Sequence, residues 1–495
     1  MNFKLVLQYV GTLLLILSLM MGICLGIGYI LPAGAGHSPE KALTGWELSI
    51  AITFGSALIL RIFGRKEKKA KVKRRDAIGV VGLGWLTCSL FASLPFMLCE
   101  PNLSFCAAFF ESVSGLTTTG ATIFGDLAAV PETIHLWRSQ CQWLGGLGIL
   151  AIFVLVLSNV GANGRSLYLG ESSAHIQELV DNRLQNTIKL LWALYISLTV
   201  LCALGLWAFE MTLFQAFNHA MTTISTGGFS TEPDSIDGFG IPVKIWLILF
   251  MTIGGMSFPL ILILVKKTRD LSVLKKHEET WLYLAILSVV SLIIFGIRMA
   301  AGGIDTSPFA ALVNTAFNTV SLATSTGYGV GDYDTWPPMA KGLLLFLMLI
   351  GGCAGSTSGG LKVSRLILWL KMVRAELRRA FRPNQIMSIK LNGWPIPEGT
   401  RGQLFLILTM ATVSIAIASF LLVGMHPSLS VDGCVSAVIS CITNVGPAFN
   451  EFGPTQNFGV ISEPGKILLS ILMLVGRLEY IAIFALFSKT FWKHY

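Results

Sequence analysis

The sequence predicts an all-α integral membrane protein of ten transmembrane helices, in which four tandem units of outer span, pore helix and inner span form a pseudo-four-fold pore. Three observations lead there. Of the 495 residues, 53% are hydrophobic and only 13% are charged, and apolar runs of about 20 residues, the length that crosses a bilayer, recur from end to end. Four short Gly/Thr/Ser-rich stretches each sit between two such runs. The basic residues concentrate in every second loop.

The runs place candidate spans near 5–31, 44–62, 77–99, 137–160, 186–209, 241–265, 280–300, 338–376 (interrupted), 401–424 and 465–490. The first run carries Lys4 and leads to Ala33-Gly34-Ala35, loosely like a secretory signal. About 26 apolar residues exceed a usual signal core, so it reads as a retained helix. Residues 1–75 form an N-terminal hairpin and basic loop without a glycine stretch; the four units follow over 76–182, 183–278, 279–395 and 396–495. With the loops after spans two, four, six and eight in the cytoplasm, 29 of the 36 Lys and Arg lie inside, those at the two termini included. Lys41, Arg138, Lys244, Arg298, Lys341 and Lys466 fall outside, and Arg477 falls within a span. Acidic residues show the reverse bias, with Glu111, Asp332, Asp334, Asp432 and Glu451 among those on the outer side. Two readings stand: an acidic vestibule that gathers cations, or ordinary solvated loop charge.

The glycine stretches are Leu116–Thr122, Ile224–Gly228, Thr324–Gly329 and Ile442–Pro447. From Gly120, the glycines Gly227, Gly327 and Gly446 follow at intervals of 107, 100 and 119 residues. Phe110, Phe217 and Phe317 lie ten before their glycine, and Glu111, Asn218 and Asn318 nine before. Bare backbone at membrane depth is tolerated only where protein buries it or a watery path runs beside it. Glycine admits positive φ, and rings of carbonyls can replace a monovalent cation's hydration shell. The ring is expected from Thr118, Thr119 and Gly120; Ser225, Thr226 and Gly227; Ser325, Thr326 and Gly327; and Asn444, Val445 and Gly446.

The inner spans carry Gly145-Gly146, Gly254-Gly255, Gly351-Gly352 and Gly476. Close helix packing through small residues explains the first two. The third begins Gly351-Gly352-Cys353-Ala354-Gly355-Ser356-Thr357-Ser358-Gly359-Gly360, and each glycine costs roughly 1 kcal/mol in a helix interior, so a break is expected. Arg477 lies 31 residues past Gly446, as Ser358 does past Gly327, which puts Arg477 at the depth of the break. Unwound carbonyls and the hydroxyls of Ser356, Thr357 and Ser358 would receive it, closing the path below the ring; the alternative is that Arg477 pairs with Glu479 and fixes packing. Beyond the break, a basic amphipathic stretch runs from Arg365 to Arg382, suited to a cytosolic partner or to anionic lipid.

Other classes find little support. The net charge of +9 resides in loops without interleaved aromatics, so no nucleic-acid partner is expected. The nine cysteines form no C-x-x-C, and His135, His219 and His426 are isolated, so neither a zinc or redox motif nor an enzyme is indicated. No cofactor is expected in this chain. Cys99 and Cys106 lie near each other on the outer side, with free thiols favoured over a disulfide. A coupled carrier would show inverted repeats and buried carboxylates; here Glu479 is the main candidate, with a cation nearby as its expected partner.

These stretches, the glycine-rich break and Gly476-Arg477-Leu478-Glu479 resemble the Trk/Ktr/HKT potassium transporter superfamily over nearly the whole chain, most closely the membrane subunit of bacterial Trk systems. The resemblance implies potassium as substrate and only bound metal, a bacterial inner-membrane location within the lipid bilayer, and a homodimer. It also implies a cytosolic ring of nucleotide-binding RCK-type subunits. An intramembrane gate is implied in the third unit, on Gly351, Gly352, Gly355, Ser356, Thr357, Ser358, Gly359 and Gly360, which the depth argument joins to Arg477. Glycine in all four stretches favours potassium over sodium. Asn444-Val445-Gly446-Pro447 departs from the Ser/Thr-Thr-Gly pattern. A symporter coupled to proton or sodium is the alternative.

Overall fold

The computed structural model describes residues 2–30, 39–64, 74–159, 184–266, 272–302, 307–382, 389–392, 394–396, 398–480, 483, 484, 486 and 488–492. The basic loop residues of 65–73 and the loop over 160–183 lie outside the described residues, as does Ala33-Gly34-Ala35.

Helix dominates because a bilayer interior has no water to satisfy backbone N–H and C=O groups, and a helix satisfies them within one segment. Six helices are long and apolar enough to cross: Phe3–Gly28, Leu43–Phe63, Arg75–Leu98, Asn186–Phe209, Glu278–Ala300 and Arg401–Met425. The pair Ile241–Gly254 and Phe258–Lys266 passes the same test together, bent by 97°. The other expected inner spans are helical over Glu132–Asn159, over Pro338–Ile350 and Val363–Phe381, and over Glu463–Arg477. Outward positions are apolar, with Leu19 68% and Phe420 79% exposed, whereas Ser112, Ser114, Thr222, Thr223, Ser321 and Ser440 are buried. That inversion suits a chain surrounded by lipid with a polar centre.

Four short helices precede the glycine stretches: Phe105–Leu116, Leu213–Ile224, Pro308–Ala323 and Val431–Thr443. Each starts at a hydroxyl cap, which satisfies an orphan N–H of the first turn. Ser104, Thr212, Ser307 and Ser430 accept from Ala107, Gln215, Ala310 and Gly433 at 3.3, 3.2, 3.3 and 3.2 Å. Thr212 and Gln215 form a full capping box. The C-terminal, partially negative ends of all four lead directly into the stretches.

The inner-span glycines are close-packing points. A Cβ on Gly145 or Gly476 would overlap the carbonyl of Leu116 or Ile442, in the last turn of one of these short helices. At Gly254-Gly255, however, packing is not the whole account: the chain bends there, and Pro259 restarts it as a helix. The fourth inner helix stops at Arg477, where Glu479 and Tyr480 take positive φ of 51° and 66°, so the continuous run expected to 490 is broken. Arg138 is no solvated outer charge; it is buried against Glu111. Cys99 and Cys106 are not joined to each other by a disulfide. After the basic helix, Lys390–Leu391 pairs antiparallel with Trp394–Pro395, a hairpin that the apolar pattern did not mark.

Candidate functional site

The four stretches meet one another. Thr118, Ser325 and Asn444 take φ of 54°, 55° and 56°, and two residues later Gly120, Gly327 and Gly446 take 85°, 85° and 103°. In the second stretch the same pair is Thr226 at 52° and Gly228 at 77°. The conformational counterpart of Gly120 is therefore Gly228, not Gly227, and the expected register of that unit shifts by one residue. Alternating handedness of this kind turns successive peptide groups the same way.

The shift explains two mismatches. Phe110 and Phe317 are fully buried, whereas Phe217 is 47% exposed, because it is not their equivalent. Nine residues before the ring glycine stand Glu111, His219 and Asn318. Glu111 accepts from the N–H of Ile123 at 3.0 Å, Asn318 from Val330 at 3.0 Å, and the His219 ring bonds the Ser230 hydroxyl at 3.0 Å. Each thus holds the chain just after its glycine. A sequence signal for this register existed: the cap residues Ser104, Thr212 and Ser430 lie sixteen before Gly120, Gly228 and Gly446.

The glycines interlock in cyclic order. A Cβ on Gly120 would overlap the Gly227 carbonyl oxygen; on Gly228, that of Thr326; on Gly327, that of Val445; and on Gly446, that of Thr119 at 2.5 Å. Each unit's glycine thus sits on the carbonyl of the residue before the next unit's glycine, and the fourth closes on the first. The supports behind the ring differ. Thr117 and Thr119 share a hydroxyl contact at 2.7 Å, as do Thr324 and Thr326. Asn444 donates to the Thr119 hydroxyl at 2.9 Å and to the Met473 carbonyl at 3.0 Å, a role its departure from the usual pattern permits. Tyr328 is buried with its hydroxyl 2.5 Å from that of Thr222 and 3.1 Å from the His219 carbonyl. Behind the first two stretches, Arg138 bonds Glu111 at 2.8 Å and the Ser230 carbonyl at 3.2 Å, and lies 4.1 Å over the Phe229 ring.

Between Ile350 and Val363 the third inner span is not helical, and Gly351, Gly355 and Gly360 take φ of 73°, 74° and 75°. This loop lies against the feet of three stretches. Thr357 donates to the Ile224 carbonyl at 2.9 Å, the Gly359 N–H to the Ser325 hydroxyl at 2.5 Å, and the Gly360 N–H to the Thr443 carbonyl at 2.9 Å. Ser358 meets Ser325 at 3.0 Å, and Ser356 turns back on Cys353. The loop also engages the bend of the second inner span: the Cys353 N–H donates to Gly255 at 2.8 Å and the Phe258 N–H to Gly355 at 3.1 Å. Gly352 closes the loop's other side through the Ser358 hydroxyl, 2.9 Å from its N–H.

Arg477 is buried and donates from Nη1 to the Thr357 carbonyl at 2.9 Å, while its Nε and Nη2 have no partner among the described residues. Glu479 binds Arg365 at 2.7 Å rather than Arg477. Sequence reasoning missed Glu279, whose buried carboxylate accepts from the N–H groups of Ala354 at 2.7 Å and Ser364 at 3.1 Å. It thereby holds both the loop and the start of the helix that follows.

Comparison with known proteins agrees with this architecture. Residues 47–494 match the family model described as TrkH, cation transport protein. The chain is 32% identical over 506 residues to "Trk system potassium uptake protein TrkH" of Escherichia coli strain K12, covering all of both. It is 31% identical over 498 residues to the protein of that name from Halomonas elongata, again covering both completely. The crystal structure of the potassium transporter TrkH from Vibrio parahaemolyticus superposes with a TM-score of 0.88 at 29% identity over the whole of both chains. The chain belongs to the TrkH family of cation transport proteins.

Proposed function

We propose that this chain is the membrane subunit of a Trk-type potassium uptake system, taking potassium as its substrate through a pore on the axis of the four stretches. The observation that carries the reading is the cyclic contact of Gly120, Gly228, Gly327 and Gly446 with the carbonyls of Gly227, Thr326, Val445 and Thr119. Four equivalent backbone turns around one point can present carbonyl oxygens to a dehydrated cation. The names of the relatives supply the ion. In this reading ten spans cross the bacterial inner membrane with both termini in the cytoplasm, and the chain works as a homodimer above a cytosolic nucleotide-binding ring of RCK type.

The loop from Gly351 to Gly360 is the gate in this reading, and Arg477 holds it shut. Two buried guanidinium donors of Arg477 lack partners among the described residues, and each such orphan costs roughly 1–3 kcal/mol. The helix Val363–Phe381 continues from the loop and carries Arg374, Arg378 and Arg379, so a partner docked there can pull on it. Coupling to proton or sodium has less support: buried Glu111 is paired with Arg138, Glu479 with Arg365, and Glu279 with loop N–H groups.

Expression in cells lacking their own potassium uptake tests the assignment. Growth at low external potassium is the expected result; well-expressed protein in the membrane with no gain in potassium content would overturn it.

A further inference from the structure

The double glycine Gly227-Gly228 has two separate causes. At Gly228 the cause is conformation, since φ is 77°. At Gly227 it is space: a Cβ there would run into Cδ, Oε1 and Nε2 of Gln142. Gln142 comes from the first inner helix, is buried, and brackets the second stretch. Its Nε2 donates to the Gly227 carbonyl at 2.7 Å, and its Oε1 accepts from the Phe229 N–H at 3.1 Å. In the other three stretches the matching residues, Thr119, Thr326 and Val445, supply a side chain of their own. Three residues before the inner-span glycines Gly254, Gly351 and Gly476 stand Met251, Met348 and Met473, where Gln142 precedes Gly145. The polar side chain in the inner helix thus occurs in the one unit whose neighbour lacks a side chain in the filter.

From this exchange we infer that Gln142 is a specificity-determining positioning residue: its amide substitutes for the missing side chain at position 227 and sets the Gly227 carbonyl. The inference rests on the filter reading above. A carbonyl oxygen has two lone pairs, so Gly227 accepts from Gln142 on one and retains the other for an ion. Without the amide, the carbonyl is free to rotate and the Phe229 N–H is left buried. A ring that holds its oxygens less firmly tolerates sodium better than one whose geometry is fixed.

The test compares variants at positions 142 and 227, singly and together, with potassium and sodium uptake measured in cells expressing the full chain. Gln142→Met, which copies the other inner helices, should lower the potassium-to-sodium uptake ratio by roughly tenfold, as expected for losing a buried hydrogen-bonded pair. Gly227→Thr alone should lower it at least as far through collision with Gln142. Gln142→Ala combined with Gly227→Thr should restore much of the ratio, because the threonine then fills the space as Thr119 and Thr326 do. Membrane yield and a monodisperse elution profile exclude misfolding. If Gln142→Met leaves the ratio unchanged while Gly120→Ser lowers it, the inference fails and the filter reading survives. A double variant no better than Gly227→Thr also overturns it. If wild type itself shows no potassium preference, the filter reading fails first.

Discussion

The carbonyl oxygen of Thr119 packs against Gly446, so that the last stretch of the chain closes on the first across more than three hundred residues. Asn444 joins the two segments directly, donating to the Thr119 hydroxyl at 2.9 Å.

A first prediction separates the two glycines of the second stretch. Gly228→Ala places a side chain in left-handed backbone, at about 1–2 kcal/mol, and against the Thr326 carbonyl. At Gly227→Ala the three nearest atoms all belong to the Gln142 amide, which is the end of a flexible side chain. Potassium uptake should fall further in Gly228→Ala, by roughly tenfold relative to Gly227→Ala. Equal losses would restore the register that counts from Gly227.

The proposed gate can be loosened from two sides. Arg477→Ala removes the bond to Thr357, and basal potassium flux in proteoliposomes should rise while preference over sodium survives. Deleting residues 355–359 is a harsher change, because Thr357 and Gly359 also brace Ile224 and Ser325 at the feet of the second and third stretches; flux should rise with some loss of preference. A well-folded Arg477→Ala protein with lower flux would mean that the arginine supports the pore.

Glu279 offers an independent handle. Glu279→Ala leaves the N–H groups of Ala354 and Ser364 without their acceptor, at roughly 1–3 kcal/mol each, and basal flux should rise about tenfold. Glu279→Gln keeps an acceptor oxygen and should lie between. Identical flux in all three proteins would show that the clamp does not hold the loop.

External pH should act through Asp334, in the loop after the third stretch, which the proposed topology places outside. Burial first, and then the neighbouring Asp332, raise its carboxyl to about 6. It is anionic above that value and neutral below it, so falling outer pH removes negative charge at the entrance. One charge about 7 Å from an entering ion in water-like surroundings is worth about 0.6 kcal/mol, or about threefold in affinity. Half-saturating potassium should therefore rise about threefold between pH 7 and pH 5, with the midpoint near 6. Asp334→Asn should show the higher value at both pH values; a wild-type pH dependence retained in that variant would assign the effect to another group.

Much of the fold was legible because membrane helices announce themselves by length and apolarity, and the glycine-rich break in the third inner span by composition. The second stretch was read one residue early. Two adjacent glycines admit two alignments, and the deciding group, Gln142, lies 85 residues upstream. The bend at Gly255 was hidden by an uninterrupted apolar run, although Pro259 marked a helix start, where its missing N–H costs nothing. Glu279 gave no signal at all, since a glutamate in the first turn of a helix has an ordinary explanation in the helix dipole. Only the folded loop brings its two N–H partners within reach.

The most direct test of the central claim is the reversal potential of the purified chain in a bilayer with potassium on one side and sodium on the other. The ring of four stretches predicts a reversal potential close to that of a potassium-selective path in wild type, shifted toward zero in Gly120→Ser and in Gly327→Ser alike. A wild-type potential near zero, or one that neither substitution moves, would contradict it.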